Sequence, residues 1–167
     1  MRIQAPVSVG ELLDKITILQ IKLERLKGPA RGNVASELAL LNRTKSDANL
    51  NSAEVIALMA ELKAVNTSLW DIEDQIREFE ARGDFGSSFI ETARSVYRMN
   101  DRRAAIKQRI NVVCKSEIVE EKSYTNSRNQ QTGTLGNGRL QPESVSADLM
   151  NHHSSIVSLV LASWRDD

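Results

Sequence analysis

The side chains best suited to chemistry form two polar stripes on neighbouring predicted helices. One stripe lies in "SVYRMNDRRA", where polar groups interrupt the apolar pattern of a helix. The other runs along the preceding helix, roughly 90° from its apolar side. An arginine flanked by tryptophan and carboxylates could hold an anionic or polyhydroxylated ligand. The candidate ligand-binding residues of both stripes are Asn66, Trp70, Glu73, Asp74, Arg94, Tyr97, Asn100, Asp101 and Arg103.

Arg103 needs a partner whether the two stripes form a structural network or a ligand-binding site. A buried arginine without one costs several kcal/mol, so we expect Arg103 to pair with a carboxylate. The nearest candidate partners, by helical spacing, are Glu73, Asp74 and Asp101. Asp14 and Glu24 of the first predicted helix are also possible partners. The structural interpretation is a buried network of ion pairs and hydrogen bonds that sets the register of the helices.

The functional interpretation gives the same side chains separate roles at a ligand. Arg103 and Arg94 would hold the anion, and Trp70 would stack on the face of a sugar. Glu73 or Asp101 would act as a base. The pattern alone leaves both interpretations open.

Apolar spacing predicts the two long helices that carry the stripes. On the third predicted helix, apolar residues alternate at steps of three and four from Val55 to Phe79. This is a heptad seam on a helix roughly 45 Å long. The fourth helix runs from about Ser88 to Cys114. Its apolar face consists of Phe89, Val96, Met99, Ile106 and Ile110.

The short loop "GDFGS" predicts that these two helices form an antiparallel hairpin. With the turn centred near Phe85, residues that face each other should have numbers summing to about 170. This register brings the two stripes to one height. It places the following pairs level: Asn100 with Trp70, Arg103 with Asn66, and Tyr97 with Glu73.

Two shorter helices are predicted before the hairpin. A stripe from Leu12 to Leu26 defines the first, and Ile18 and Ile21 lie on its other side. These isoleucines are either buried on a second face or form an interface with a partner. The second helix begins after Gly32 and fades in "NRTKSDANLN". The fold class is therefore all-α, a helical hairpin packed with two N-terminal helices and followed by a flexible tail.

Composition divides the chain into three parts. Residues 1–124 are predicted to form the helical bundle. Residues 125–143 are polar, contain glycine and carry no acidic group, which indicates a flexible linker. Residues 144–167 are apolar again and fit either a helix or a strand.

The overall composition argues against several functions. Because 22 basic and 22 acidic residues cancel, we expect no general attraction to nucleic acid or to a membrane surface. Cys114 is the only cysteine, which excludes an internal disulfide and suits a reducing cytoplasm. His152 and His153 are adjacent and would diverge on a helix, so we expect no metal, and no cofactor motif is present. Without an apolar run of ~20 residues, we expect a cytoplasmic protein with no membrane span.

Four motifs between Pro6 and Tyr124 are distinctive: "PVSVGELLDKITILQIKLER", "LWDIEDQIREFE", "FIETARSVYRMNDRRAAIKQRIN" and "EEKSY". They resemble a family of small bacterial helical proteins that is classed as a domain of unknown function. Some members of that family are fused to, or encoded beside, glycosyltransferases and tetratricopeptide proteins. The resemblance thus implies a setting in cell-surface polysaccharide assembly, but it implies no activity and supplies no catalytic residue.

These patterns favour a non-catalytic module that binds a protein partner or associates with itself. The first alternative is a small helical enzyme, or a binder of an anionic sugar or nucleotide sugar, that uses Trp70, Glu73, Asn100 and Arg103. The second is a nucleic-acid-binding hairpin, because an arginine stripe on the fourth helix faces solvent.

Overall fold

Four helices account for the regular secondary structure of residues 3–119, the part of the chain that the computed structural model describes. They are α1 (Val9–Arg25), α2 (Ala30–Asp47), α3 (Ala53–Arg82) and α4 (Ser87–Val113). The predicted all-α class is confirmed. The predictions for the linker at 125–143 and the apolar segment at 144–167, including both histidines, fall outside the described residues.

The long helices α3 and α4 form the predicted hairpin, and two contacts fix its register. Arg109 Nη1 lies 2.9 Å from Glu61 Oε2, near the open end. Near the turn, the rings of Phe79 and Phe89 meet edge to face with centroids 6.3 Å apart. Both pairs match the register predicted from the loop. Gly83 ends α3 in the left-handed conformation (φ 64°), which a residue without a Cβ adopts at little cost.

The apolar seam of α3 lies in the core, as its heptad spacing predicted. Its buried members are Val55, Leu58, Leu62, Val65, Leu69 and Ile76. The opposing face of α4 contributes four buried apolar side chains, namely Phe89, Val96, Ile106 and Ile110. Met99, which was predicted to join them, is only half-buried.

Helix α1 packs on all three of the other helices and is buried around most of its circumference. Leu13 and Ile16 belong to the core, and so do Ile18 and Ile21. The prediction of an interface at Ile18 and Ile21 is therefore corrected. Both side chains are covered by the chain's own helices, and the alternative of burial on two faces is what the structure shows.

Helix α2 lies on the outside of α1. Leu38 is its one buried residue, and an exposed ion pair joins Lys15 of α1 to Glu37 across 3.0 Å. The helix continues through "NRTKSD", where the sequence pattern predicted that it would fade. Among residues 3–119, no helix is long and apolar enough to cross a membrane.

Candidate functional site

The centre of the polar cluster is Asp14 of α1, whose side chain is 1% exposed. Arg103 of α4 reaches it from a side chain that is 14% exposed. Its Nε lies 3.0 Å from Oδ1 and 3.1 Å from Oδ2, and its Nη2 also donates to Oδ2. Two guanidinium nitrogens on one carboxylate make the strongest kind of side-chain ion pair. The cation of Arg103 is thus already neutralised within the protein.

Asn66 brings α3 into the same cluster. Its Nδ2 donates to Asp14 Oδ1 over 2.8 Å and to Thr17 Oγ1 over 2.9 Å. Thr17 in turn donates to the backbone oxygen of Asp14 over 2.8 Å. Because the amide nitrogen faces a carboxylate, the orientation of the Asn66 side chain is determined. One carboxylate therefore ties together helices α1, α3 and α4.

The amide oxygen of Asn66 lacks a hydrogen-bond partner within the polar cluster of Asp14, Thr17, Asn66 and Arg103. It is buried and finds no hydrogen-bond partner among residues 3–119. An unsatisfied buried acceptor costs free energy, and a buried water molecule is the usual way in which proteins recover it.

One turn further along α4, a second set of contacts holds the start of α1. The amine of Lys107 donates to Glu11 Oε2. The backbone N–H of Gly10 donates to Asn111 Oδ1 over 2.6 Å, and the N–H of Val9 donates to Ser116 Oγ over 3.2 Å. The first N–H groups of a helix form a natural anion site when they are free. Here they are satisfied by Asn111 of α4, by Ser116 just after it and by the N-cap Ser8, so this helix terminus offers no such site.

Gly10 makes this close approach possible. A Cβ built on Gly10 would lie 2.7 Å from the backbone oxygen of Lys107 and 3.0 Å from Asn111 Oδ1. Any side chain would push α1 away from α4. The glycine in "SVGELL" is explained by packing.

Trp70, Glu73 and Asp74 lie on α3 towards the end of α1. Glu73 is buried, and Trp70 carries the guanidinium of Arg25 over its ring at 5.4 Å. Arg25 also lies 3.9 Å from Asp74 Oδ2, and 2.7 Å from the neighbouring carboxylate of Asp71. The aromatic face that was predicted to stack on a sugar therefore holds an arginine of the chain itself.

The remaining candidates divide between the inside and the outside of α4. Arg94, Tyr97 and Asp101 are exposed on the side of the helix that faces away from the bundle, and Asn100 is half-buried. Of the pairs that were predicted to lie level, Arg103 and Asn66 do meet, through Asp14. Tyr97 is exposed and Glu73 is buried, so these two side chains do not line one common site.

Thr17, Lys22 and Asn111 are buried polar residues that were not among the predicted site residues, and Asp14 was predicted only as a secondary partner of Arg103. A signal was present for Asp14. It precedes Ile18 and Ile21 at steps of four and seven residues, so the three share one helix face. Once that face is taken as buried, Asp14 must be buried with it.

Cys114 does not have the properties of a nucleophile. Burial raises the pKa of its thiol, and the negative charge of Glu54 raises that pKa further. Since the thiolate is the reactive form, both effects suppress reactivity. Within the described part of the chain, no three His, Cys, Asp or Glu side chains converge in a way that could hold a metal ion.

The fold and its polar cluster together define a small all-α domain whose helices are joined by buried ion pairs and hydrogen bonds. A family model matches residues 2–135, and the chain belongs to that family, described as Family of unknown function (DUF6165). No curated protein matches the chain. No solved structure matches it either.

Proposed function

We propose that this protein is a non-catalytic helical module that binds a protein partner through the outer face of α4. That surface, called the outer face below, is defined by Ile90, Arg94, Tyr97, Asp101, Ala105 and Val112. Self-association or binding of another chain would both use it. The heptad seam of α3 and the isoleucines of α1 are buried inside the bundle and cannot serve this purpose.

The exposed apolar residues of the outer face are the observation that carries the proposal. Ile90, Tyr97 and Val112 are 43%, 56% and 73% exposed. Their spacing keeps them within about 60° of arc along the whole helix. A single exposed apolar side chain is ordinary, but three of them along one helix face, with the exposed Arg94, Asp101 and Gln108 between them, give the mixed composition of a non-obligate interface. Tyrosine in particular is enriched where binding energy concentrates.

The closed polar cluster supports the non-catalytic part of the proposal. To hold an anionic sugar or a nucleotide sugar, Arg103 would have to release Asp14, which would leave a buried carboxylate without its cation. Trp70 would have to release Arg25. The nucleic-acid alternative has less support, because acidic side chains lie among the exposed arginines of α4. Glu91 lies beside Arg94 and Arg98, and Glu61 lies beside Arg109.

We propose that this interaction takes place in the cytoplasm and serves the assembly of cell-surface polysaccharide. This setting rests on the family resemblance of the motifs and on no contact in the fold.

Site-specific photo-crosslinking in cells tests the proposed function. The crosslinking amino acid p-benzoylphenylalanine replaces Tyr97 on the outer face, or Arg102 as a control on the same helix beside that face. We expect the Tyr97 position to give an adduct of one discrete mass, whose components mass spectrometry identifies. The adduct should vanish when Ile90→Glu is added. Equal adducts from both positions, or none from Tyr97, would contradict the proposal.

A further inference from the structure

We infer that the partner of the outer face is a second copy of this chain, with the two α4 helices packed antiparallel about a two-fold axis between Tyr97 and Arg98. This inference rests on the proposed function and specifies its partner. In this arrangement facing residues have numbers that sum to 195, so residues 87–108 of one α4 lie along residues 87–108 of the other, and the same patch serves both copies.

The charges on the outer face select this arrangement. Arg94 and Asp101 are opposite in sign and lie seven residues apart, about 10 Å along the axis. They flank the proposed axis symmetrically, so the Arg94 of each copy faces the Asp101 of the other. A parallel pair would instead place arginine beside arginine and aspartate beside aspartate. The antiparallel pair forms two ion pairs, and the parallel pair forms none.

Arg94 and Asp101 can both form these ion pairs at little cost in free energy. Asp101 is exposed and forms no ion pair with any residue of 3–119. Arg94 now lies 2.8 Å from Glu91, with both side chains more than half exposed. An ion pair between exposed side chains contributes little, so exchanging Glu91 for the Asp101 of a second copy is readily accommodated.

The sizes of the side chains fit the same register. Ile90 of one copy falls opposite Ala105 of the other, so a large side chain meets a small one. Tyr97 and Arg98 lie beside the axis, and within one copy the guanidinium of Arg98 already lies 5.7 Å from the Tyr97 ring. The dimer would remove this contact from water, and cation–π contacts strengthen when they leave water.

The size of the contact sets its strength. In this register the two α4 helices overlap over residues 87–108, a length of about 30 Å, and Val112 lies beyond the overlap. A single helix-on-helix contact buries less than the ~1,600 Å² of a standard interface, so the dimer should depend on concentration, with a dissociation constant in the micromolar range.

Sedimentation equilibrium of the full chain tests the inference through a charge reversal. Arg94→Glu and Asp101→Arg should each weaken dimerisation by at least about tenfold, because each places like charges across the axis. The double substitution restores opposite charges and should bring the dissociation constant back to within about threefold of the original. Arg102→Glu makes the same change of charge beside the outer face and should have little effect. Thermal melting of each variant checks that the fold is intact.

The outcomes separate this inference from the proposed function. A chain that remains monomeric at several hundred micromolar overturns the second copy as partner. A double variant that dimerises no better than the single variants overturns the antiparallel register. If the chain is monomeric but the Tyr97 crosslink identifies a different protein, the proposed function stands and the inference fails. If no adduct forms and the chain is monomeric, both fail.

Discussion

Arg103 and Asp14 lie 89 residues apart in sequence and form a two-pronged ion pair inside the bundle. Because Asn66 binds the same carboxylate, the pair fixes α1 against both helices of the hairpin. The energetic value of such a pair lies in the penalty for breaking it, since either partner alone is a buried charge.

Removing one partner of this ion pair should destabilise the fold strongly. We expect Asp14→Asn and Arg103→Met each to lower the free energy of unfolding by about 3 kcal/mol. The double substitution should cost less than the sum, because it leaves no unpaired charge. Urea unfolding of the four proteins measures this. As a control, Lys15→Gln breaks an exposed ion pair on the same helix and should cost under about 1 kcal/mol. Strictly additive losses would show that the two groups are not coupled.

Two glycines in helices should respond in opposite directions to alanine. Gly10→Ala places a Cβ against the backbone of α4, and we expect a loss of about 2 kcal/mol from the resulting shift. Gly32→Ala in α2 meets nothing within 4 Å and should stabilise the protein by up to about 1 kcal/mol through helix propensity. Thermal melting distinguishes the two. A neutral Gly10→Ala would mean that α1 and α4 do not approach so closely in solution.

The thiol of Cys114 should titrate at higher pH in the folded protein than in the unfolded chain, because burial and then Glu54 raise its pKa. The protonated thiol therefore contributes stability that is present below about pH 8.5 and is lost as the pH rises through the folded pKa. The rate of alkylation by iodoacetamide as a function of pH, with and without urea, measures both midpoints. Glu54→Gln should lower the folded midpoint only partly, since burial remains. A folded midpoint equal to or below the unfolded one would exclude this assignment.

Small anions should give the protein no saturable stabilisation. Phosphate at high concentration stabilises proteins in general by exclusion from their surface. A saturable effect requires binding, and Arg103 is already occupied by Asp14. Differential scanning fluorimetry over a concentration series should show no saturable rise in Tm. A saturable rise that disappears in Arg103→Met would instead establish the ligand-binding alternative.

The hairpin could be predicted because short, contiguous stretches of the sequence determine it. The unbroken spacing from Val55 to Phe79 defines one helix face, and a short loop with Gly83 and Gly86 forces the next helix to return alongside it. The register then follows from chain geometry alone, and both the Glu61–Arg109 pair and the phenylalanine pair agree with it.

The composition of the polar cluster depended instead on where α1 docks. Helical spacing shows which residues share a face, but it does not show which neighbour covers that face. Arg103 therefore had five candidate carboxylates, and only the packing of α1 against α4 selects Asp14. Spacing alone does place Tyr97 and Asp101 away from Arg103, by about 120° and 160° around α4, and both are exposed in the fold.

The hydrogen bond from Val9 to Ser116 brings the beginning of the first helix to the segment just after the last. The start of α1 and the segment after α4 therefore lie at the same end of the bundle. The Gly83–Gly86 turn lies at the opposite end of the bundle. In a protein limited to residues 3–119, that turn is therefore the natural place to open the chain once a short linker joins the segments before Val9 and after Ser116. The order of the helices along the chain could then be rearranged while the packing among them stays the same.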